Sequence, residues 1–384
     1  MVYLQIAYET TTDFIPRPPE TAAISNQQFF NNKTKGVFDK IKYTTCCSAR
    51  QSIDAARIPI VVLEPQTDTS RLIYSNLARY ITANNAAVLL IDHPHDSSVV
   101  EFPASEKTLY NSGSTALSSL SPLTEWNATV TSAIDMRIQD ITFALFNLST
   151  TPLASKFPTF KFTSTLDTSH FGIIGHGLGG TVASHLSFTD SRVKWSINLS
   201  GSAPPLDRNT KTPTYFIGRA DLTRDEDVNW PKTWKHLTGP ATEYNLANAT
   251  ITDFSDLPVV IEASGVNELP RGPEGAWPNH ALRCFVEGIV MKEEWGSADV
   301  TQGCIRMFAE KGRVVPYMAK GGVIEEGPGT ESGSGNLGME GWWWLLGVVV
   351  VGVWGAVSGG EMVWGWCWLF GVCSNGARWF SRCV

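Results

Sequence analysis

The residues most suggestive of chemistry lie at 171–188, FGIIGHGLGGTVASHLSF. An apolar, β-branched run meets a glycine-rich turn, and a helical sequence follows. A strand–turn–helix of the form G-x-S-x-G presents a serine hydroxyl at a sheet edge, where it attacks an acyl carbon. Here the frame reads Gly175-His176-Gly177-Leu178-Gly179, followed by Gly180, and its centre is a glycine. The small residues that let strand and helix approach are present, but the nucleophile is not. Glycine-rich turns also cradle phosphates. This one lacks the Lys-Ser/Thr of a P-loop, and no acidic residue ends the next strand as a dinucleotide fingerprint requires.

Other reactive side chains are scattered. His176 adjoins the turn centre and is read first as a packing residue, with catalysis as the lesser alternative. Asp92-His93-Pro94-His95-Asp96 holds two histidines at i and i+2 in a loop, a weak metal signal. No metal and no cofactor are expected. Asp221, just past an apolar run at 212–218, is a residual candidate for a carboxylate that orients a base. Ser184 and Ser202 read as ordinary helix and turn residues, and Asp225-Glu226-Asp227 as a solvated loop. The seven cysteines show no CxxC or zinc spacing, although Cys284 and Cys304 can pair in an oxidising compartment.

Positioning such a turn requires a buried sheet, and the sequence supplies one. Residues 59–64, 87–92, 171–175, 194–200 and 212–218 are apolar runs rather than alternating ones, as strands covered on both faces must be. Ile73, Leu77, Tyr80 and Ile81 share one helical face; Ile134, Ile138, Ile141 and Leu145 share another. Strands alternating with helices predict an α/β domain over 59–326, mostly parallel, with helices on both faces. Residues 1–58 read as an irregular segment with edge strands, and 104–126 as a Ser/Thr-rich surface loop.

The 384 residues are 43% hydrophobic and 17% charged, enough for a core, which excludes wholesale disorder. A net charge of −7 speaks against nucleic acid and anionic membranes as general partners. Residues 327–341 form a Gly/Ser linker by composition. Residues 342–384 form a Trp/Gly/Val-rich tail whose first seventeen residues carry no charge, the lower edge of a membrane-spanning length. Yet 29 of the 34 residues at 341–374 have codons built only from G and T, the pattern of a translated non-coding stretch. A membrane partner therefore depends on whether the tail is genuine. The amino-terminal residues lack the basic and long apolar regions of a signal peptide. Asn-x-Ser/Thr sequons occur at Asn32, Asn127, Asn147, Asn198 and Asn248, the fourth inside an apolar run where it is not expected to be reachable. The compartment is left open.

Several segments together resemble the platelet-activating factor acetylhydrolase-like family of α/β-hydrolases, especially its fungal lipase-like branch. They are VVLEPQTDTSRLIYSNLARYI leading to VLLIDHPHDSSVVEFP at 61–103, GIIGHGLGG at 172–180, INLSGSAPP at 197–205 and DFSDLP at 253–258. The resemblance implies an α/β-hydrolase fold and an ancestral activity on short acyl esters, notably phospholipid acetyl esters. It places the family's nucleophile on Gly177, its acid on Ser200 and its base on Ile251. The loop after the first strand, normally glycine-bearing, reads Glu64-Pro65-Gln66-Thr67-Asp68. Leu178, Gln66 and Thr67 are thus the oxyanion-like positions, with the loop expected to approach less closely. Acyl transfer needs a nucleophile, a base and an orienting carboxylate, and none is intact. The leading expectation is a catalytically impaired hydrolase-fold protein. The alternatives are an esterase using displaced residues, a non-catalytic binder of phospholipid or small acyl esters, and a decayed gene product.

Overall fold

The computed structural model describes residues 2–5, 12–15, 19–30, 37–40, 43–46, 52–102, 107–111, 123–153, 161–219, 222, 224–264, 276–297, 303–304, 307–308 and 314–320. These all fall within one compact unit, residues 1–330. The linker, the Trp-rich tail and Asp221 lie outside the described residues.

Eight strands form the central sheet: β1 (Val2–Gln5), β2 (Ile60–Glu64), β3 (Ala87–Ile91), β4 (Phe171–His176), β5 (Val193–Leu199), β6 (Thr214–Arg219), β7 (Ala241–Leu246) and β8 (Val314–Lys320). Their order is β1-β3-β2-β4-β5-β6-β7-β8. β2 through β7 pair in parallel, and the outer strands β1 and β8 are antiparallel to their neighbours. Each of the five apolar runs is a strand of the parallel part. β7 was not anticipated because ATEYNL is not apolar. Its Glu243 is buried only because Arg224 pairs with it at 2.8 Å. β1 shows that the amino-terminal segment contributes to the main sheet.

Both faces of the sheet are covered, which is why the strands are apolar throughout. On one face Val61, Leu63, Val88 and Leu90 pack against Leu77 and Ile81 of α2 (Ser75–Ala83), in a core shared with Phe285 and Ile289 of α5 (Trp277–Trp295). On the other, Ile60, Val62 and Leu89 join Ile134 and Ile141 of α3 (Ala128–Thr150) and Val182 of α4 (Leu178–Thr189). Successive strand residues serve opposite faces, as the pleat demands. The helix α1 (Pro19–Phe30) brings Phe29 beside Gln66 and His176, and, elsewhere, Cys284 on α5 is bridged to Cys304. Among the described residues no helix is long and apolar enough to cross a membrane.

Because β2 to β7 run the same way, the segments after Glu64, Ile91, His176, Leu199 and Leu246 emerge at one edge. Distant parts of the chain can meet there and nowhere else.

Candidate active site

Gly177 connects β4 to α4 with φ 55° and ψ −119°, a conformation that a side chain occupies only under strain. Its N–H donates to the Leu199 carbonyl at 2.9 Å, and its own carbonyl accepts from Thr181 N at 3.0 Å. A β-carbon on Gly175 would overlap the Gly179 carbonyl, and one on Gly179 would crowd the Glu64 carbonyl. The two glycines flanking the centre are therefore required by the close passage of α4 over β4 and the end of β2. The backbone of a nucleophile elbow is present without a nucleophile.

Opposite this turn lies the Gln66 side chain. Its Oε1 accepts from Leu178 N at 2.7 Å and from Thr67 N at 3.0 Å. Two backbone N–H groups converging on one oxygen, one of them from the residue after the elbow centre, form the geometry that holds the oxyanion of a tetrahedral intermediate. Although the loop carries no glycine, Thr67 N reaches the same oxygen as Leu178 N. Gln66, an oxyanion-like position by the family resemblance, takes part here through its side-chain oxygen. Its N–H goes to Tyr74 Oη at 3.0 Å, and its carboxamide fills the hole as an acceptor. A β-carbon on Gly177 would coincide with that carboxamide.

Tyr74, not singled out in the sequence, ties this loop to the elbow. Its hydroxyl accepts from Gln66 N and is hydrogen-bonded to Nδ1 of His176 at 2.8 Å. The His176 ring sits between Tyr74 and Phe254, with centroids 5.8 and 5.7 Å away. Burial pushes its pKa down to about 3; the Ile251 backbone opposes that and Arg219 adds to it. His176 is therefore neutral in the core. Burial likewise raises the Tyr74 phenol, which stays protonated and able to donate.

Ser200 follows β5 directly, buried with φ 52°, and its Oγ has no hydrogen-bond partner among the described residues. Ile251 opens the short 3₁₀ turn Ile251–Phe254 after β7. The fold thus gathers Gly177, Ser200, Ile251, Gln66, Thr67, Leu178 and His176 at the same sheet edge from four separate segments. A cavity of about 10 Å³ remains beside the elbow, lined by Phe29, Gln66, Tyr74, His176 and Ile251 among others. That is room for no more than one water.

Beneath the loop lies a buried ionic network from the DHPHD segment. Arg137 on α3 donates to Asp96 at 2.5 Å and to the Pro65 carbonyl at 2.7 Å, and Thr67 Oγ1 donates to Asp96 at 2.5 Å. Arg71 pairs with Asp92. His93 sits between Glu64, 2.8 Å from Nε2, and Asp140, 2.7 Å from Nδ1. Burial works against its charge, but the two carboxylates outweigh that and raise its pKa. Among the described residues no group of three or more His, Cys, Asp or Glu side chains is placed to hold a metal ion.

A histidine whose folded pKa is raised stabilises the fold fully below its unfolded value, about 6.5, and loses that contribution as pH climbs through the folded value. The unfolding free energy should therefore fall as pH rises above neutrality. His93→Gln should remove that slope in denaturant titrations run at several pH values. An unaltered slope would assign the dependence to another group.

Comparison with known proteins follows the same lines. Residues 20–266 match the family model described as platelet-activating factor acetylhydrolase, isoform II. A probable 1-alkyl-2-acetylglycerophosphocholine esterase from Arthroderma benhamiae is 30% identical over 225 residues, covering 55% of this chain and 52% of that protein. The chain thus spans about half the length of that relative. A ferulic acid esterase from Streptomyces cinnamoneus superposes with a TM-score of 0.59 at 21% identity, over 77% of this chain and 83% of the other, a likeness of fold. With a family match over well over half its length and the parallel sheet and elbow described above, the chain is an α/β-hydrolase-fold protein that belongs to the platelet-activating factor acetylhydrolase isoform II family.

Proposed function

We propose that this chain is a member of its family that no longer hydrolyses esters. The observation that carries the reading is the seat of the Gln66 carboxamide, held by the Leu178 and Thr67 N–H groups where an acyl oxygen would be bound. Loss of a nucleophile alone leaves a hole able to polarise a carbonyl, and such holes retain about a thousandfold acceleration over water. A filled hole forfeits that as well. The two substitutions also fit each other: without a side chain at 177, space is left for a long one at 66. Their complementarity favours a site adapted to inactivity over one damaged at random.

An active esterase using displaced residues would need a base near a nucleophile. His176 is neutral, buried and committed to Tyr74. A holder of phospholipid or acyl esters, the substrate class of the family, would need a pocket, and the space beside the elbow admits one water in this conformation.

The test uses the full purified chain with a chromogenic acetyl ester and a fluorophosphonate that marks activated serines. The expected result is no turnover above buffer and no covalent label. Turnover that His176→Gln abolishes, or a labelled serine, would overturn the proposal.

A further inference from the structure

The sequons and the disulfide are not used by any reading of the active site. Asn32 lies outside the described residues, and Asn147 is half-buried within α3, its Nδ2 donating to the Phe143 carbonyl at 2.8 Å. The other three sequons fall into two kinds. Asn127 is exposed at the N-cap of α3, where its Oδ1 accepts from Val130 N at 3.1 Å. A substituent on its Nδ2 leaves that capping bond in place. Asn248 is exposed in the turn after β7 with φ 56°. Asn198 is the opposite case. It is 1% exposed in β5, its Nδ2 donates to Ser184 Oγ at 2.8 Å, and its Oδ1 accepts from Gly201 N at 2.7 Å. A sugar on that nitrogen would have to occupy the packed seam between β5 and α4. The third residue of this sequon is Ser200, the position the family resemblance assigns to the acid. Replacing a carboxylate there thus creates a buried acceptor sequence.

The Cys284–Cys304 bridge is an independent sign of where the chain folds. Such bonds persist in oxidising compartments, and N-linked glycosylation of eukaryotic chains takes place in one. We propose that the folded chain carries N-linked glycans at Asn127 and Asn248, acquired in the compartment that oxidises Cys284 and Cys304, and that Asn198 stays unmodified in every folded molecule. The co-reactant is a lipid-linked oligosaccharyl diphosphate. The asparagine Nδ2 forms a bond to the sugar C1, the C1–O bond to the diphosphate breaks with its electron pair leaving on oxygen, and one amide proton is lost.

The experiment directs the full chain through a eukaryotic secretory pathway behind a cleavable leader. Peptide mass mapping after enzymatic glycan removal, which converts a glycosylated Asn to Asp, reads each site separately. Converted residues at 127 and 248 and an intact Asn198 are expected in secreted, disulfide-bonded protein. Thr129→Ala should abolish modification at 127 alone while keeping the cap, and Asn248→Asp should abolish it at 248 alone. Bare residues at 127 and 248 in that protein, or a glycan on Asn198 in folded protein, would overturn the proposal. If no wild-type chain is secreted, Ser200→Ala, which lacks the acceptor sequence at 198, decides. Its secretion with both glycans supports the proposal, and its retention or a bare product counts against it.

Discussion

The full chain carrying Gln66→Gly together with Gly177→Ser, Ser200→Asp and Ile251→His is expected to hydrolyse a short-chain ester at least about 100-fold faster than the chain with the last three changes alone. The three rebuild the nucleophile, acid and base, yet keep the Gln66 side chain, whose carboxamide must crowd either the Leu178 and Thr67 N–H groups or the new serine. They also place a serine β-carbon where that carboxamide sits. Removing one donor from an oxyanion hole costs roughly 10²–10³ in turnover, so freeing two should restore at least as much. Ser200 is a suitable host for the acid. Its φ of 52° is one that Asp tolerates, and its Oγ makes no hydrogen bond among the described residues that a carboxylate would have to replace. Steady-state rates of wild type, triple and quadruple variants settle the matter. Equal rates for triple and quadruple would mean that Gln66 swings aside without cost and does not obstruct the hole.

Gly177→Ser alone should destabilise the fold by at least about 3 kcal/mol. A side chain in this backbone conformation costs about 1–3 kcal/mol. The larger consequence is eviction of the Gln66 carboxamide, which leaves two buried N–H donors unpaired at about 1–3 kcal/mol each. The two positions should consequently be coupled. Adding Gln66→Gly gives the serine room, so the double variant should lose less than the sum of the singles by about 1 kcal/mol or more in denaturant unfolding. A Gly177→Ser protein within about 0.5 kcal/mol of wild type would show that the elbow relaxes without disturbing the loop. This prediction separates the contact from the chemistry, because it holds whether or not the variant turns over ester.

Much of the scaffold was legible in the residues. Runs such as Val61–Leu63 and Ile173–Ile174 are apolar on both pleat faces, which only a doubly covered parallel sheet requires, and the four-three-four spacing of Ile134 to Leu145 marked α3. β7 was not legible, because Glu243 and Asn245 are buried within it and the Arg224 that pairs with Glu243 lies outside the strand. The elbow could be recognised because its glycines sit where α4 crosses β4, a local contact written in consecutive residues. The vacant nucleophile position was equally local.

The Gln66 seat had no such trace. A glutamine after a strand is unremarkable until Leu178, 112 residues away, offers its N–H to it. Tyr74 carries no signal in the sequence, and only in the fold does its hydroxyl meet both Gln66 and His176. By itself the sequence determined the fold class, the sheet edge where chemistry would occur and the absence of a serine there, because each depends on side-chain type and short-range spacing. Only the tertiary structure decided that Leu178 N and Thr67 N converge on the Gln66 carboxamide oxygen, because a hydrogen-bond acceptor has no identity until the fold brings two donors to it.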